Sequence, residues 1–338
     1  MIKNKVVFLS LMILIGACKK ENNLRGINKK ALFAAPTMTE LEAVNTAWQR
    51  RNLTPEEIRV EFSKVINGRL SYQLLSFRLN GLKQYVGVMI PTTSKPLPVT
   101  INVHGFALDM PVSYQNIKLD NSSDTASLPF IHVLPALKGQ SISLTINDKT
   151  YISPASEGSR DDAFDGAADD ALACLNAVIT TYKNADSSRV MVRGGSRGGT
   201  VALLMAERDK RIKRAVGVAF PADLIGLTAK YQQDANYKFQ FLEALTKGTA
   251  TLEQTRIKMI ASSPLYFCEE LPKTQIHFGD NDKITPATEG QLILNTLKLK
   301  SLQSNIESFV YHGRSHQNIG TNNNEMEDRI RSFFRGLW

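Results

Sequence analysis

Short apolar segments alternate with helix-type patterns from residue 98 to the C-terminus, and this alternation constrains the fold more than any other feature. Strands are predicted over residues 98–103, 131–134, 190–192, 216–220, 275–278 and 308–311. Strands that are apolar on both faces and separated by helices are typical of a parallel sheet covered on both sides. The sequence therefore predicts an α/β domain, and 338 residues with 43% hydrophobic content supply enough apolar surface for one large core.

An antiparallel hairpin is predicted ahead of this pattern. Asn80-Gly81 joins two alternating apolar runs, over residues 70–79 and 82–90, and this dipeptide is the strongest short signal for a two-residue hairpin turn. The alternation changes phase at Leu74, as a β-bulge would cause.

Two helices are predicted before the hairpin, over residues 37–49 and 55–66, because apolar residues recur there at helical spacing. Thr54, with Glu57 three residues later, matches a helix-capping box for the second helix.

The N-terminus has the features of a secretory signal. The first 17 residues combine a positive start, an apolar stretch and small residues immediately before Cys18, which resembles a bacterial lipoprotein signal. The sequence predicts a signal peptide over 1–17, a lipid on Cys18 and a Lys- and Asn-rich tether over 18–36. The protein would then be a membrane-anchored lipoprotein of the bacterial cell envelope, on the periplasmic side or the cell surface. The competing interpretation is a buried strand that precedes a free cysteine.

Two further cysteines, Cys174 and Cys268, remain once Cys18 is set apart. A disulfide between them is chemically permitted in an oxidising envelope. We favour two buried free thiols, because each lies in an apolar pattern where cysteine behaves as a small hydrophobic residue.

A serine lies on a predicted strand-to-helix turn. The strand over 190–192 leads into Gly194-Gly195-Ser196-Arg197-Gly198-Gly199, and residues 200–207 continue as a helix. Glycines beside a serine allow the close approach of strand and helix that exposes its hydroxyl. Ser196 is therefore the candidate nucleophile, and the backbone N–H of Arg197 is a candidate oxyanion donor.

A serine nucleophile needs a base and an acid that orients the base. The loop after strand 275–278 contains Asp280 and Asp282, and the loop after strand 308–311 contains His312 and His316. Both loops follow strands at the carboxyl edge of the sheet, where Ser196 also lies. His316 is favoured over His312 because it lies deeper in its loop.

His277 and His132 fall inside apolar strands and are predicted to be core residues.

The second oxyanion donor is predicted in His104-Gly105-Phe106, directly after strand 98–103. The backbone N–H of Phe106 would serve, and Gly105 would let the chain approach the serine. Arg197, predicted to be exposed beside the nucleophile, and His104 are also candidate substrate contacts.

A long helical insertion over about 221–262 is predicted to cover the site as a cap, with Tyr231 and Tyr237 as candidate substrate contacts.

Three acidic residues lie at the start of the helix predicted over 164–179: Asp161, Asp162 and Asp165. A metal site there is less favoured than an acidic helix start, which the helix dipole stabilises.

These segments together resemble the catalytic domain of the prolyl oligopeptidase family of serine peptidases, within the α/β-hydrolase superfamily. The resemblance covers residues 72–338 and is most specific at Gly-x-Ser-x-Gly-Gly around Ser196 and at Gly-x-x-Asp-x-x-x-Pro around Asp282. It implies an α/β-hydrolase fold: a mostly parallel central sheet with an antiparallel N-terminal hairpin, helices on both faces and a helical cap insertion. It also implies Ser196 as nucleophile, Asp282 rather than Asp280 as acid, and His316 as base.

The predicted activity is hydrolysis of an ester or an amide through an acyl-serine. Too few residues precede the hairpin for the β-propeller of the oligopeptidase members, and the acidic pair of the aminopeptidase members has no counterpart here. Esters or acylated carbohydrates are therefore slightly favoured over short peptides as substrates. A surface-binding lipoprotein that keeps the fold without turnover is the alternative from another class.

Other partners are not predicted. No metal-ligand spacing or phosphate-binding loop occurs, so no cofactor or metal is expected. The chain carries 41 basic and 32 acidic residues, a net charge of +9, but the surplus is scattered and forms no nucleic-acid-binding block.

Overall fold

The structure is a computed structural model that describes residues 24–66, 68, 70–106, 112–114, 130–146, 149–302 and 305–337. Within these residues the strands are β1 (Glu56–Ile66), β2 (Leu70–Leu79), β3 (Leu82–Pro91), β4 (Leu97–Val103), β5 (Val112–Tyr114), β6 (Ile131–Ala136), β7 (Ile142–Ile146), β8 (Lys149–Ile152), β9 (Ala185–Gly195), β10 (Ile212–Val218), β11 (Lys273–Gly279) and β12 (Ile306–Tyr311).

The helices alternate with the later strands. They are α1 (Lys29–Leu32), α2 (Met38–Gln49), α3 (Asp165–Thr181), α4 (Arg197–Arg208), α5 (Leu224–Lys230), α6 (Ala235–Tyr237), α7 (Glu243–Thr246), α8 (Leu252–Ala261), α9 (Thr288–Leu299) and α10 (Asn324–Arg335). A π-helical turn (Lys238–Leu242) joins α6 to α7, and two 3₁₀ turns (Pro264–Tyr266 and Cys268–Glu270) precede β11. None of the helices in the described part of the chain has the length and apolar character needed to cross a membrane.

The central sheet has the described strands in the order β1-β2-β3-β6-β4-β9-β10-β11-β12. The first four pair antiparallel, and every pair from β6 to β12 is parallel. The carboxyl ends of the parallel strands therefore share one edge, where the loops after β4, β9, β11 and β12 meet. A small second sheet pairs β5 with β7 and β7 with β8.

Both faces of the central sheet are covered. Alternate residues of β9 illustrate this, because they pack into different hydrophobic clusters. Val190 and Val192 pack into the main core together with apolar residues of α3, α4, α8 and α9. Met191, between them, packs on the opposite face with Phe333 and Phe334 of α10. Farther along that face, Ile142 and Leu144 of β7 cover the hairpin strands.

The hairpin prediction is confirmed. Leu79 pairs with Leu82, and Asn80 (φ 51°) and Gly81 (φ 81°) both have positive φ, as a two-residue hairpin turn of the primed type requires. The predicted bulge at Leu74 of β2 lies instead in the neighbouring strand β1. The register from β2 to β3 is continuous, and the irregularity lies in β1, between Val60 and Phe62.

The predicted helix over 55–66 is wrong, because this segment is the edge strand β1. Its more buried residues are Ile58, Phe62 and Ile66, one in every four, because two register shifts interrupt the strand's alternation. A bulged edge strand thus reproduces the i, i+4 spacing of a helix. The other predicted helix is confirmed as α2, whose N-terminus has a complete capping box from Thr37.

The predicted tether over 18–36 is wrong for residues 24–36, which pack on the domain. Leu24 and Leu32 belong to the main core. Arg256 of α8 donates hydrogen bonds to the carbonyl oxygens of Ala31, Leu32, Ala34 and Ala35. The predicted signal peptide, the lipidation site Cys18 and the remainder of the tether lie outside the described residues.

Cys174 and Cys268 are buried free thiols rather than a disulfide. Burial raises the pKa of both, that of Cys268 to about 12, so neither is activated as a thiolate.

Candidate active site

Ser196 occupies a strained turn between β9 and α4. Its backbone has φ 54° and ψ −129°, outside the regions that residues other than glycine usually adopt. Two glycines make the turn possible. A Cβ on Gly194 would lie 2.1 Å from the carbonyl oxygen of Gly198, and a Cβ on Gly198 would lie 2.2 Å from that of Val103. The predicted reason for glycine at these positions is therefore confirmed.

Three side chains from separate loops form a hydrogen-bonded chain at the turn. His316 Nε2 lies 2.9 Å from Ser196 Oγ, and His316 Nδ1 lies 2.8 Å from Asp282 Oδ2. The Asp282 side chain is fully buried, whereas 16% of the His316 side chain is exposed. The arrangement can pass a proton from the serine hydroxyl to the imidazole, with the carboxylate fixing the imidazole's orientation.

Asp282 is held by its own loop. Its Oδ1 accepts hydrogen bonds from the backbone N–H groups of Ile284 and Thr285 at 2.8 and 2.9 Å. The Thr285 hydroxyl lies 3.0 Å from Asp282 Oδ2, 2.8 Å from the carbonyl oxygen of Ala219 and 2.9 Å from His316 Nδ1. Thr285 was not among the predicted site residues, although its place within the Gly-x-x-Asp-x-x-x-Pro element was a usable signal.

The alternative acid and base lie elsewhere. Asp280 pairs with His312, whose Nδ1 lies 2.7 Å from Asp280 Oδ2, and the His312 side chain is fully exposed. This pair therefore does not take part in the contacts to Ser196.

Of the two other histidines considered, His277 is a buried core residue and His132 is half-buried in β6. His277 is stacked on Phe309 and Tyr311, and burial lowers the pKa of His277 to about 3 and that of His132 to about 4. Both are neutral structural side chains at pH 7.

A cavity of about 520 Å³ opens in front of Ser196 and His316. The helical insertion between β10 and β11 contributes one wall through Asp234, Tyr237 and Gln240. The remaining walls are mostly apolar and come from Phe106, Phe164, Val218, Ala219, Pro221, Ile284 and Ile319. Phe164 and Gln240 were not predicted as residues of the cavity wall.

Of the predicted substrate contacts, Tyr237 and Arg197 are among the residues that line this cavity. Tyr231 and His104 are not among the described residues that line it. Tyr231 stacks on Tyr237 with ring centroids 5.8 Å apart, and so supports the wall from behind.

The segment after β4 passes directly beside the serine. A Cβ on Gly105 would lie 3.4 Å from Ser196 Cβ, and Gly105 and Phe106 both line the cavity. Arg197 is the first residue of α4, and the first N–H groups of a helix have no partner within the helix. The structure thus brings the two predicted oxyanion donors to the same cavity as Ser196.

The prediction that Arg197 is exposed is wrong. Only 5% of the residue is accessible, because its side chain turns inward against Phe106, His104 and Gln140. Burial lowers the pKa of Arg197 to about 10, which still leaves it charged at pH 7.

The acidic helix start is part of an ion-pair network. Asp165 accepts hydrogen bonds from Arg51, Arg208 and the indole of Trp48, and Asp169 accepts from the same two arginines. These contacts tie α2 and α4 to α3. Asp165 and Asp169 therefore have a structural role as ion-pair partners.

Solved structures with this fold include esterases and peptidases. An acetyl xylan esterase from Paenibacillus sp. R4 has a TM-score of 0.63 and 16% identity and covers 91% of this chain and 99% of its own. Acetyl xylan esterase 1 from Thermoanaerobacterium has a TM-score of 0.62 and 16% identity, and the match covers 92% of this chain and 98% of the esterase. Dipeptidyl peptidase 4 from Porphyromonas gingivalis has a TM-score of 0.55 and 17% identity, and the match covers 79% of this chain but only 36% of the peptidase. At these identities the likeness establishes the α/β-hydrolase fold.

The sequence supports a narrower assignment. No curated protein gives a significant match to the chain. The model of the prolyl oligopeptidase family matches residues 158–336, just over half of the chain, and this stretch contains Ser196, Asp282 and His316. The chain therefore belongs to the prolyl oligopeptidase family of hydrolases, as its sequence motifs predicted.

Proposed function

We propose that the protein is a serine hydrolase that cleaves a carboxylic ester through an acyl-serine intermediate. The observation that carries this proposal is the hydrogen-bonded chain from Ser196 through His316 to Asp282, at the opening of a cavity large enough for a small-molecule ester. A cavity of several hundred cubic ångströms with few polar groups is typical of small-molecule sites.

In the acylation step, His316 Nε2 takes the proton of Ser196 as Oγ bonds to the ester carbonyl carbon. The carbonyl π electrons move to oxygen, and the oxyanion accepts hydrogen bonds from the N–H groups of Arg197 and Phe106. His316 then gives its proton to the leaving alkoxy oxygen while the bond from carbon to that oxygen breaks, so that an alcohol departs and the acyl group stays on Ser196.

In the deacylation step, water replaces the alcohol. His316 takes a proton from the water, whose oxygen attacks the acyl carbon, and returns this proton to Ser196 Oγ as the acid is released. Asp282 accepts the hydrogen bond of His316 Nδ1–H throughout, which keeps Nε2 directed at the serine.

Esters of small molecules or acylated carbohydrates are the favoured substrates. The acetyl xylan esterase structures match this chain over almost their whole length, whereas the dipeptidyl peptidase 4 structure has only 36% of its chain covered. The second candidate, cleavage of short peptides, is supported by membership of a peptidase family.

Three variants of the proposed site and two matched controls test the proposal. Ser196→Ala, His316→Ala and Asp282→Asn should each lower the turnover of p-nitrophenyl acetate, Ser196→Ala by more than about 10⁴-fold. His312→Ala and Asp280→Asn change the same residue types in neighbouring loop positions and should retain activity. Full activity of Ser196→Ala would refute the mechanism.

A fluorophosphonate probe separates turnover from binding alone, because it labels only an activated serine. Wild-type protein should be labelled at Ser196, and folded protein that is not labelled would favour a non-catalytic binding protein. A panel of p-nitrophenyl esters, acetylated xylo-oligosaccharides and aminoacyl or prolyl amides should show the highest kcat/KM for an ester. A higher value for an amide would favour the peptidase.

We also propose that Cys18 is lipidated and anchors the protein in the cell envelope. The support is the signal-type sequence before it. Metabolic labelling with an alkyne fatty acid should tag the wild-type protein, and Cys18→Ala should abolish the tag and release the protein from the membrane fraction.

A further inference from the structure

Arg197 is a buried cation that forms no direct ion pair with a described carboxylate, which sets it apart from the other deeply buried arginines, although the charge of the buried Asp170 acts on it from a longer distance. Arg208 pairs with Asp165 and Asp169, and Arg256 pairs with Glu40. A buried charge without a directly paired counter-ion is unfavourable for folding. The position of Arg197, directly after the proposed nucleophile, points to a role in catalysis for this side chain.

The contacts of the Arg197 side chain converge on the segment that follows β4. Its Nη2 lies 3.2 Å from His104 Nδ1 and 3.4 Å from the His104 carbonyl oxygen. Its Cζ lies 4.9 Å from the ring centroid of Phe106, within range of a cation–π interaction. Nη2 also donates to Gln140 Oε1 at 3.1 Å, which ties the guanidinium to the turn after β6.

The partner side chains suit a cation that has to stay in place. Burial and the charge of Arg197 lower the pKa of His104 to about 3, so His104 is neutral and does not repel the guanidinium. Gln140 is buried, and its backbone is fixed by bonds from Gln140 N to the Leu137 carbonyl and from Ser156 N to the Gln140 carbonyl.

We propose that the Arg197 guanidinium is a positioning residue for the oxyanion hole, an inference that rests on the serine hydrolase function proposed above. Arg197 then influences both donors of the oxyanion hole. Its backbone N–H is the donor on α4, and its side chain holds the segment that carries the Phe106 donor beside Ser196.

This role differs from binding a substrate carboxylate. The Arg197 side chain is largely buried, and its Nη2 is engaged by His104 and Gln140 rather than free for a ligand. An interaction that matters only in the transition state changes kcat, whereas one that holds the ground state changes KM. The two roles therefore give opposite kinetic results.

The test compares Arg197→Met with Arg189→Met. Arg189 lies on the same strand as the nucleophile turn but at its other end, paired with Asp186. With p-nitrophenyl acetate, Arg197→Met should lower kcat about 100-fold with KM changed less than about twofold, in line with the loss of an oxyanion donor. It should weaken inhibition by a phenylboronic acid, which forms a tetrahedral adduct, by a similar factor. Arg189→Met should match the wild type.

An unchanged kcat in folded Arg197→Met overturns the inference, and so does a raised KM at constant kcat. If Arg197→Met does not fold, Gln140→Met, which removes one anchor of the guanidinium, decides the question. We expect it to lower kcat about tenfold at constant KM, and a wild-type kcat would refute the inference. Retained activity in Ser196→Ala would instead refute the proposed function.

Discussion

Glu207, in the last turn of α4, is a carboxyl group held in the interior. Only 5% of the residue is accessible, and neither carboxyl oxygen has a hydrogen-bond partner among the described residues. Burial raises the pKa of Glu207 well above its ordinary value near 4.5, partly offset by the nearby charge of Arg208. The folded chain therefore retains a proton that the unfolded chain releases above pH 4.5.

We predict that Glu207→Gln stabilises the protein in a pH-dependent way. Because the folded-state pKa is raised, the wild type loses stability as the pH rises above about 4.5, whereas the neutral amide does not. The variant should have a higher free energy of unfolding than the wild type at pH 8, and the gain should disappear toward pH 4.5. Urea unfolding at several pH values measures this.

Glu42→Gln is the control for loss of a carboxylate, because Glu42 is exposed. It should show no comparable gain in the free energy of unfolding. A constant difference between Glu207→Gln and wild type at all pH values would contradict the prediction.

At the scale of elements, the site depends on three segments in contact: β4, the nucleophile turn and α4. Gly198 lies where the end of β4 crosses the start of α4, and its neighbours there are backbone atoms that cannot rotate away. Phe106 after β4 then meets Phe164 at the start of α3, which stacks on Phe241 of the helical insertion. The geometry at Ser196 is thus supported by packing that reaches the cavity wall.

Gly198→Ala should destabilise the protein by about 3 kcal/mol or more, because its Cβ would lie 2.2 Å from the Val103 carbonyl oxygen. Gly195→Ala, in the same motif, should leave the free energy of unfolding within about 0.5 kcal/mol, since the nearest atom to its Cβ is 3.9 Å away. Chemical denaturation of both variants checks this contrast, and equal stabilities would refute the packing argument.

At the scale of the whole molecule, the domain includes the segment from residue 24. Leu32 is fully buried, and Arg256 closes the end of α1 by binding its carbonyl groups. The segment therefore contributes to the main core rather than joining the domain to something else.

Leu32→Ala should lower the free energy of unfolding by about 3 kcal/mol, the usual cost of a cavity in a core. Leu299→Ala is the matched control, because Leu299 is 89% exposed and should change stability by less than about 0.5 kcal/mol. Thermal and urea unfolding measure both. A Leu32→Ala variant as stable as Leu299→Ala would show that residues 24–36 behave as a tether.

The local features of the fold could be predicted from the sequence because short-range chemistry decides them. The capping box of α2, the Asn80-Gly81 turn and the glycines around Ser196 each act within a few residues. Apolar strands separated by helices likewise imposed a parallel sheet. These features were sufficient to place the candidate nucleophile, acid and base on loops at one edge of the sheet.

Only the tertiary structure decided how distant residues meet. Asp282 rather than Asp280 contacts His316 because the bonds from Ile284 and Thr285 turn its carboxylate inward. Arg197 is buried because Gln140 and His104, 57 and 93 residues away in the chain, enclose it. Strand β1 was mistaken for a helix because bulges defined by its pairing with β2 changed its periodicity. Periodicity and spacing describe neighbours along the chain, whereas burial and charge pairing depend on contacts that form only when the sheet assembles.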